Sequence, residues 1–185
     1  MPMLLLKNLP RYECLLEASK EFPDLDPSAC EAFLHLLHAG DECFRVMETN
    51  LAGHAISQGR FGVMMILLNQ CRCNGDTAAL SPAELADRTG VTRATMTGLI
   101  DTLERDGLVT RMPDVEDRRM LTVSLTAKGR EVLHGILPEH FRRMATLMQN
   151  LSETERRTLV QLLLKIKEQA ATLASHPFPH GATAG

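Results

Sequence analysis

"LSPAELADRTGVTRATMTGLIDTLERDGLVTR", Leu80 to Arg111, is the stretch that decides the fold. Ser81 is a strong N-cap residue and Pro82 suits the first helical position. Glu84, three residues after Ser81, completes a capping box. The helix started there is short, because Gly90 ends it. Thr92 caps a second helix after a turn of about three residues. Two short helices joined by a tight turn containing Gly form a helix-turn-helix. After Gly107 the pattern changes from helical to alternating. "LVTR" (Leu108–Arg111) and "MLTVSLT" (Met120–Thr126) both read as strands. The polar segment Pro113–Arg119 between them makes a hairpin whose loop is too long for a two-residue turn.

Upstream and downstream the period is helical. A short helix is expected from about Tyr12 to Glu21, ended by "FPDLDP" with its two prolines. A longer one runs from Ser28 to about Asn50, with Ser28 and Glu31 placed to form a capping box. Phe33, Leu34, Leu37, Phe44, Met47 and Leu51 form its stripe. Gly53–Gly59 reads as a connector, and "RFGVMMILLNQ" (Arg60–Gln70) as a strongly apolar helix before the polar loop Asn74–Thr77. Thr126 caps a helix to about Asn150, with Leu133, Ile136, Leu137, Phe141 and Met144 in its stripe and Pro138 inside it, where a kink is expected. Ser152 and Glu155 open a last helix through about Ala174, striped by Leu159, Leu162, Leu163 and Ile166. The long apolar stripes of these terminal helices exceed what the central module can cover, which predicts a two-fold dimer.

The charge pattern narrows the chemistry. Net charge is -3, so bulk charge implies no polyanionic partner, and Ser81–Arg130 itself carries eight basic and eight acidic residues. Any nucleic-acid binding therefore depends on where the charges sit. On the helix from Thr92 to Arg105, Met96, Leu99, Ile100 and Leu103 share one arc, and Ala94, Thr97, Gly98 and Asp101 share the opposite one. That opposite arc is small and hydroxylated, flanked by Arg93 and Thr95, so its backbone can approach a major groove closely. Arg93 can reach a guanine edge or a phosphate, and Thr95 and Thr97 can donate to phosphates or bases. An exposed helix that is merely rich in Thr carries the same pattern. Arg118 and Arg119 in the hairpin loop suit a narrow minor groove, with Asp117 able to pair with one guanidinium and aim it. A solvated charged turn has the same composition.

Other classes are disfavoured. No run of 18 apolar residues exists, so no transmembrane helix is expected. "MPMLLLKNLP" lacks the basic region and small-residue cleavage site of a signal peptide. Five Cys do not make a disulfide framework, and a reducing cytoplasm is the expected location. No Gly-rich loop follows a strand, so neither an enzyme nor a bound cofactor is expected. A winged-helix module that binds only protein would need no Arg at the hairpin tip and no Thr on the exposed helix face.

The stretch Leu80–Leu133 resembles the winged helix-turn-helix of the MarR (multiple antibiotic resistance regulator) family. Its most specific part lies in "VEDRRMLTVSLTAKG" (Val115–Gly129), with Asp-Arg-Arg from Asp117 and then Leu-Thr-x-x-Gly ending at Gly129. "LSETERRTLVQLLLKI" (Leu151–Ile166) resembles the family's final dimerisation helix, and the likeness spans roughly Ala29–Ala174. The resemblance implies a mainly α fold with a small β-wing, and a homodimer binding double-stranded, inverted-repeat operator DNA, usually as a repressor. It also implies release by a small organic effector. By motif position Arg119 is the wing arginine and Asp117 its partner. The implied DNA-binding set is then Ser81, Thr92, Arg93, Thr95, Thr97, Gly98, Asp117, Arg118 and Arg119. On this reading residues 1–27 are an arm and an extra helix that departs from the shortest members. Residues 28–58 and 127–174 form the dimerisation region, 59–126 the DNA-binding domain and 175–185 a disordered tail.

Sensor chemistry stays open at this point. His38, His54 and Arg60 are candidate polar groups for an effector. Cys71 and Cys73 flank Arg72, which can lower a thiol pKa and so favour redox sensing, with Cys14, Cys30 and Cys43 upstream. Glu31, His35, His38 and Glu42 share one helix face, a spacing that suits either a metal or an ordinary solvated face. No metal site is assigned.

Overall fold

The computed structural model describes residues 8–74, 79–113 and 120–175. Among them the order is α1 (Tyr12–Glu21), α2 (Pro27–Ala52), α3 (Gln58–Asn74), α4 (Pro82–Thr89), α5 (Arg93–Arg105), β1 (Val109–Pro113), β2 (Leu121–Leu125), α6 (Ala127–Leu147) and α7 (Glu153–Ser175). The chain is thus mainly helical with one small antiparallel sheet. It divides into two compact units, Met1–Arg143 and Met144–Gly185.

Local chemistry explains the helix starts. The α2 cap is Asp26, and not Ser28 with Glu31. Its carboxylate accepts the N–H groups of Ser28 at 2.9 Å and Ala29 at 3.1 Å. Pro27 occupies the first helical position and has no N–H to offer, so the acceptor just before it reaches the first two real donors. The Ser28 hydroxyl then donates to the same carboxylate at 2.8 Å. These bonds, the Ala29 N–H first, hold the Asp26 pKa below the usual carboxylate range. Helix α3 is longer than its apolar run, because Ser57 starts it: Phe61 N–H donates to the Ser57 carbonyl at 2.9 Å.

The core lies in the first unit. Leu51, Met64, Leu67, Leu85, Met96, Ile100, Leu103, Val123, Leu133 and Ile136 are fully buried in one cluster drawn from α2 to α6 and both strands. Strands β1 and β2 pair in register Val109↔Leu125 to Pro113↔Leu121. Leu80 adds an isolated bridge to the other side of β2. Its N–H donates to the Val123 carbonyl at 3.1 Å, and the Val123 N–H returns at 2.8 Å. The hairpin thus continues as a third, one-residue strand at the entry to α4.

The apolar stripes read from the terminal helices divide. Leu133, Ile136 and Leu137 of α6 are buried, whereas Phe141 and Met144 are about half exposed. Phe33 and Phe44 of α2 are also exposed. Within the second unit, Val160, Leu162, Leu163, Leu164 and Ile166 of α7 all stand exposed, and no residue of that helix is buried.

Candidate nucleic-acid interface

The two helices of the helix-turn-helix are fixed by side chains the sequence made legible. Ser81 Oγ accepts from Glu84 N–H at 3.3 Å, and the Glu84 carboxylate accepts from Ser81 N–H at 2.8 Å, closing the capping box. Gly90 ends α4 with φ +70°, a left-handed conformation where a side chain would be strained. Thr92 Oγ1 accepts the Thr95 N–H at 3.1 Å and starts α5. Met96, Ile100 and Leu103 are completely buried beneath α5, with Leu99 partly buried beside them. Arg93, Ala94, Thr95, Thr97, Gly98 and Asp101 are exposed. A Cβ added to Gly98 would meet nothing within 4 Å, so the middle of that face is open.

The far end of α5 is tied down by charge. Arg60 of α3 forms an ion pair with Asp106, the α5 C-cap, and also donates to the Ala55 carbonyl at 3.5 Å. Lys128 Nζ donates to the Asp106 carbonyl at 2.8 Å, a cation at a helix C-terminus. Arg111 of β1 bonds Asp101 at 2.5 Å and Glu104 at 2.6 Å, one turn apart on α5. The bond to Asp101, foremost, raises the Arg111 pKa above its ordinary value.

The profile of the MarR family matches residues 56–121. The HTH-type transcriptional repressor YetL of Bacillus subtilis (strain 168) is 37% identical over 158 residues, covering 85% of this chain and 92% of that protein. The chain belongs to the MarR family. A crystal structure of a mutant MarR from E. coli complexed with operator DNA aligns with TM-score 0.59 at 26% identity, covering 74% of this chain and 91% of that one. The MarR family regulator Sco3205 from Streptomyces coelicolor, in complex with DNA, aligns with TM-score 0.69 at 21% identity over 78% of this chain and 89% of that one, which shows the shared fold.

In this MarR-family chain the expected interface residues fall into three groups. Arg93, Ala94, Thr97 and Gly98 share the outward face of α5. All four of the expected hydroxyls are engaged locally. Ser81 and Thr92 cap their helices, and Thr97 Oγ1 donates to the Arg93 carbonyl at 2.9 Å. Thr95 Oγ1 lies 2.9 Å from Thr92 Oγ1. Asp117, Arg118 and Arg119 lie outside the described residues. Of the effector candidates, His38 is half-buried, His54 is exposed, and Arg60 is held by Asp106 as a strut between α3 and α5. Cys71 and Cys73 fall in the last turn of α3, with their side chains outside the described set. Cys14, Cys30 and Cys43 are free thiols. Glu42 of the acidic and histidine face bonds Arg45 at 2.7 Å, and no group of three metal-ligating side chains gathers among the described residues.

Residues the sequence reading passed over also matter. Arg111, Asp101 and Glu104 form the triad above. Asn50 Nδ2 and His140 Nδ1 are buried without a hydrogen-bond partner, which is costly for a polar atom. His140 packs against Phe61 with ring centroids 4.6 Å apart. The pattern carried a faint signal for both: a polar residue, Asn50 or His140, sits next to the buried positions of an apolar stripe.

Proposed function

We propose that this chain is a homodimeric, sequence-specific DNA-binding transcriptional repressor of the cytoplasm, released from an inverted-repeat operator by a small organic effector. The observation that carries the reading is the outward face of α5. Ala94, Thr97 and Gly98 form an open, narrow surface of small residues edged by Arg93, on a helix whose opposite face is locked into the core. A helix of that shape can lie deep in a major groove with its backbone near the phosphates. Arg93 has no ion-pair partner among the described residues and is free to contact DNA. By motif position Arg118 and Arg119, with Asp117, serve as the wing's minor-groove contacts.

Dimerisation is supported by the apolar residues that α7 leaves exposed, Val160, Leu162, Leu163 and Ile166 among them. A second copy is the natural cover for such a stripe, with 28–58 and 127–174 as the region involved. Effector release is supported by the unpartnered polar atoms of Asn50 and His140, which a polar ligand can satisfy.

The test is selection from random duplex DNA with the purified protein, followed by a salt titration of the best site. The expected result is an inverted repeat with half-sites about one helical turn apart and an affinity that falls steeply with salt. Failure to enrich any duplex at low salt, before and after unfolding and refolding to remove bound ligand, would refute the reading.

A further inference from the structure

The outward row of α5 ends in an apparent contradiction. Asp101 is 56% exposed and follows Gly98 by one turn, on a surface read here as facing polyanionic DNA. Glu104 follows it. Two carboxylates there oppose binding unless they serve another purpose.

The geometry supplies one. Val123 directs both its N–H and its carbonyl to Leu80, so at the pair Arg111↔Val123 the two hairpin strands exchange no hydrogen bond. Arg111 therefore turns its own N–H outward, where Glu104 Oε1 accepts it at 3.2 Å. The guanidinium closes the remaining sides, onto Glu104 Oε2 at 2.6 Å and Asp101 Oδ1 at 2.5 Å. One residue of β1 is thus held at three points by two residues of α5. A guanidinium is a planar fork with fixed donor directions, so this arrangement sets an angle as well as a distance. The Arg111 side chain is only 23% exposed.

We propose that Arg111 is a positioning residue for DNA binding. Through Asp101 and Glu104 it locks the β-hairpin to the recognition helix, so that the two elements meet DNA as one rigid body. The carboxylates are anchors for that lock, kept despite their charge. This rests on the DNA-binding reading.

The experiment uses the duplex enriched by the full-length wild-type protein. Asp101→Asn with Glu104→Gln removes both negative charges from the recognition helix. If charge alone mattered, the double variant would bind more tightly. Positioning predicts the reverse: affinity about tenfold or more weaker, the size of a lost interface contact. The slope of log affinity against log salt should also become shallower by about 0.9 for each phosphate contact that the hairpin no longer makes. Arg111→Lys, which keeps the charge and loses the fork, should be weakened in the same way. Asp101→Asn alone, which leaves the Glu104 bonds intact, gives a milder variant should the double one unfold, and circular dichroism checks each. Equal or tighter binding by the folded double variant overturns the proposal. So does weaker binding with an unchanged salt slope, which would mean a general loss of structure. Failure of the wild-type protein itself to bind any duplex would instead sink the DNA-binding reading and this inference with it.

Discussion

Gly129→Ala should destabilise the protein far more than its size suggests. A Cβ on Gly129 would fall 2.1 Å from the Leu108 carbonyl oxygen, 3.0 Å from its carbon and 3.1 Å from Leu125 Cδ2. Ordinary contact begins near 3.4 Å, so strand and helix must part by more than about 1 Å in a region packed like a crystal. Neither side can yield freely. The Leu108 carbonyl accepts from Thr126 N–H at 3.1 Å and from Thr126 Oγ1 at 3.2 Å. Thr126 Oγ1 also accepts the Gly129 N–H at 3.0 Å and so caps α6. Leu108 N–H is held in turn by the Leu103 carbonyl at 2.9 Å.

Overpacking of this kind costs about 1–3 kcal/mol. Loss of the Thr126 N–H bond to the Leu108 carbonyl adds about 1 kcal/mol, while the Thr126 hydroxyl keeps its nearer acceptor, the Gly107 carbonyl at 2.7 Å. The better helix propensity of Ala returns about 1 kcal/mol. The net is a loss of about 1–3 kcal/mol, or a fall in Tm of roughly 3–12 °C for a chain this long. Thermal unfolding followed by circular dichroism, at one fixed protomer concentration, measures it. Gly135→Ala is the internal control, since its Cβ in the same helix would meet nothing within 4 Å. That variant should be unchanged or slightly more stable. A Gly129→Ala protein melting within about 2 °C of wild type, or both variants shifting alike, would refute the close approach as the reason for glycine here.

Three further outcomes are expected. Gly98→Ala should raise Tm slightly, since Ala is favoured over Gly by about 1 kcal/mol inside a helix, yet weaken binding to the selected duplex. Unchanged affinity would remove Gly98 from the interface. His140 is held neutral, its pKa lowered from 6.5 by burial first and by Arg143 second. The unfolded chain then takes up the proton before the folded one as pH falls, so this contribution is complete above about pH 6.5 and is lost below it. Tm should drop more steeply below that pH in wild type than in His140→Gln, and parallel curves would contradict the assignment. Leu163→Asp should convert a dimer to a monomer in sedimentation velocity, and a surviving dimer would move the interface elsewhere.

The elements legible in the sequence were those decided within one turn of chain. Ser81 with Glu84, Gly90 and Thr92 act on neighbours three or four residues away, so spacing alone was enough to place α4 and α5. The same locality explains the error at α2. Ser28 with Glu31 and Asp26 before Pro27 are both valid caps, and the missing N–H of Pro27 settles the competition one step earlier. What the pattern could not convey were pairings between segments. Arg111 reads as a polar residue in a strand, and Asp101 as one more residue of the exposed arc of α5, until the fold brings them to 2.5 Å. Arg60 reads as a candidate polar group for an effector, and its pairing with Asp106, 46 residues on, is visible only in the fold. Gly129 is the intermediate case. Its place in Leu-Thr-x-x-Gly was legible as a motif, but only the packing of α6 on the Leu108 carbonyl explains why the motif needs glycine. The most specific piece of family sequence is therefore, at its Gly end, a fastening between hairpin and helix. The Arg111 triad fastens the other side of that hairpin, so the segment Leu108–Arg111 is held at Leu108 by Thr126, the cap of α6, and at Arg111 by α5. A strand braced at both points cannot swing independently of the recognition helix. On the proposed function, an effector that shifts α6 would move α5 and the hairpin together, so the hairpin base is where such an effector would act on DNA binding without unfolding either element.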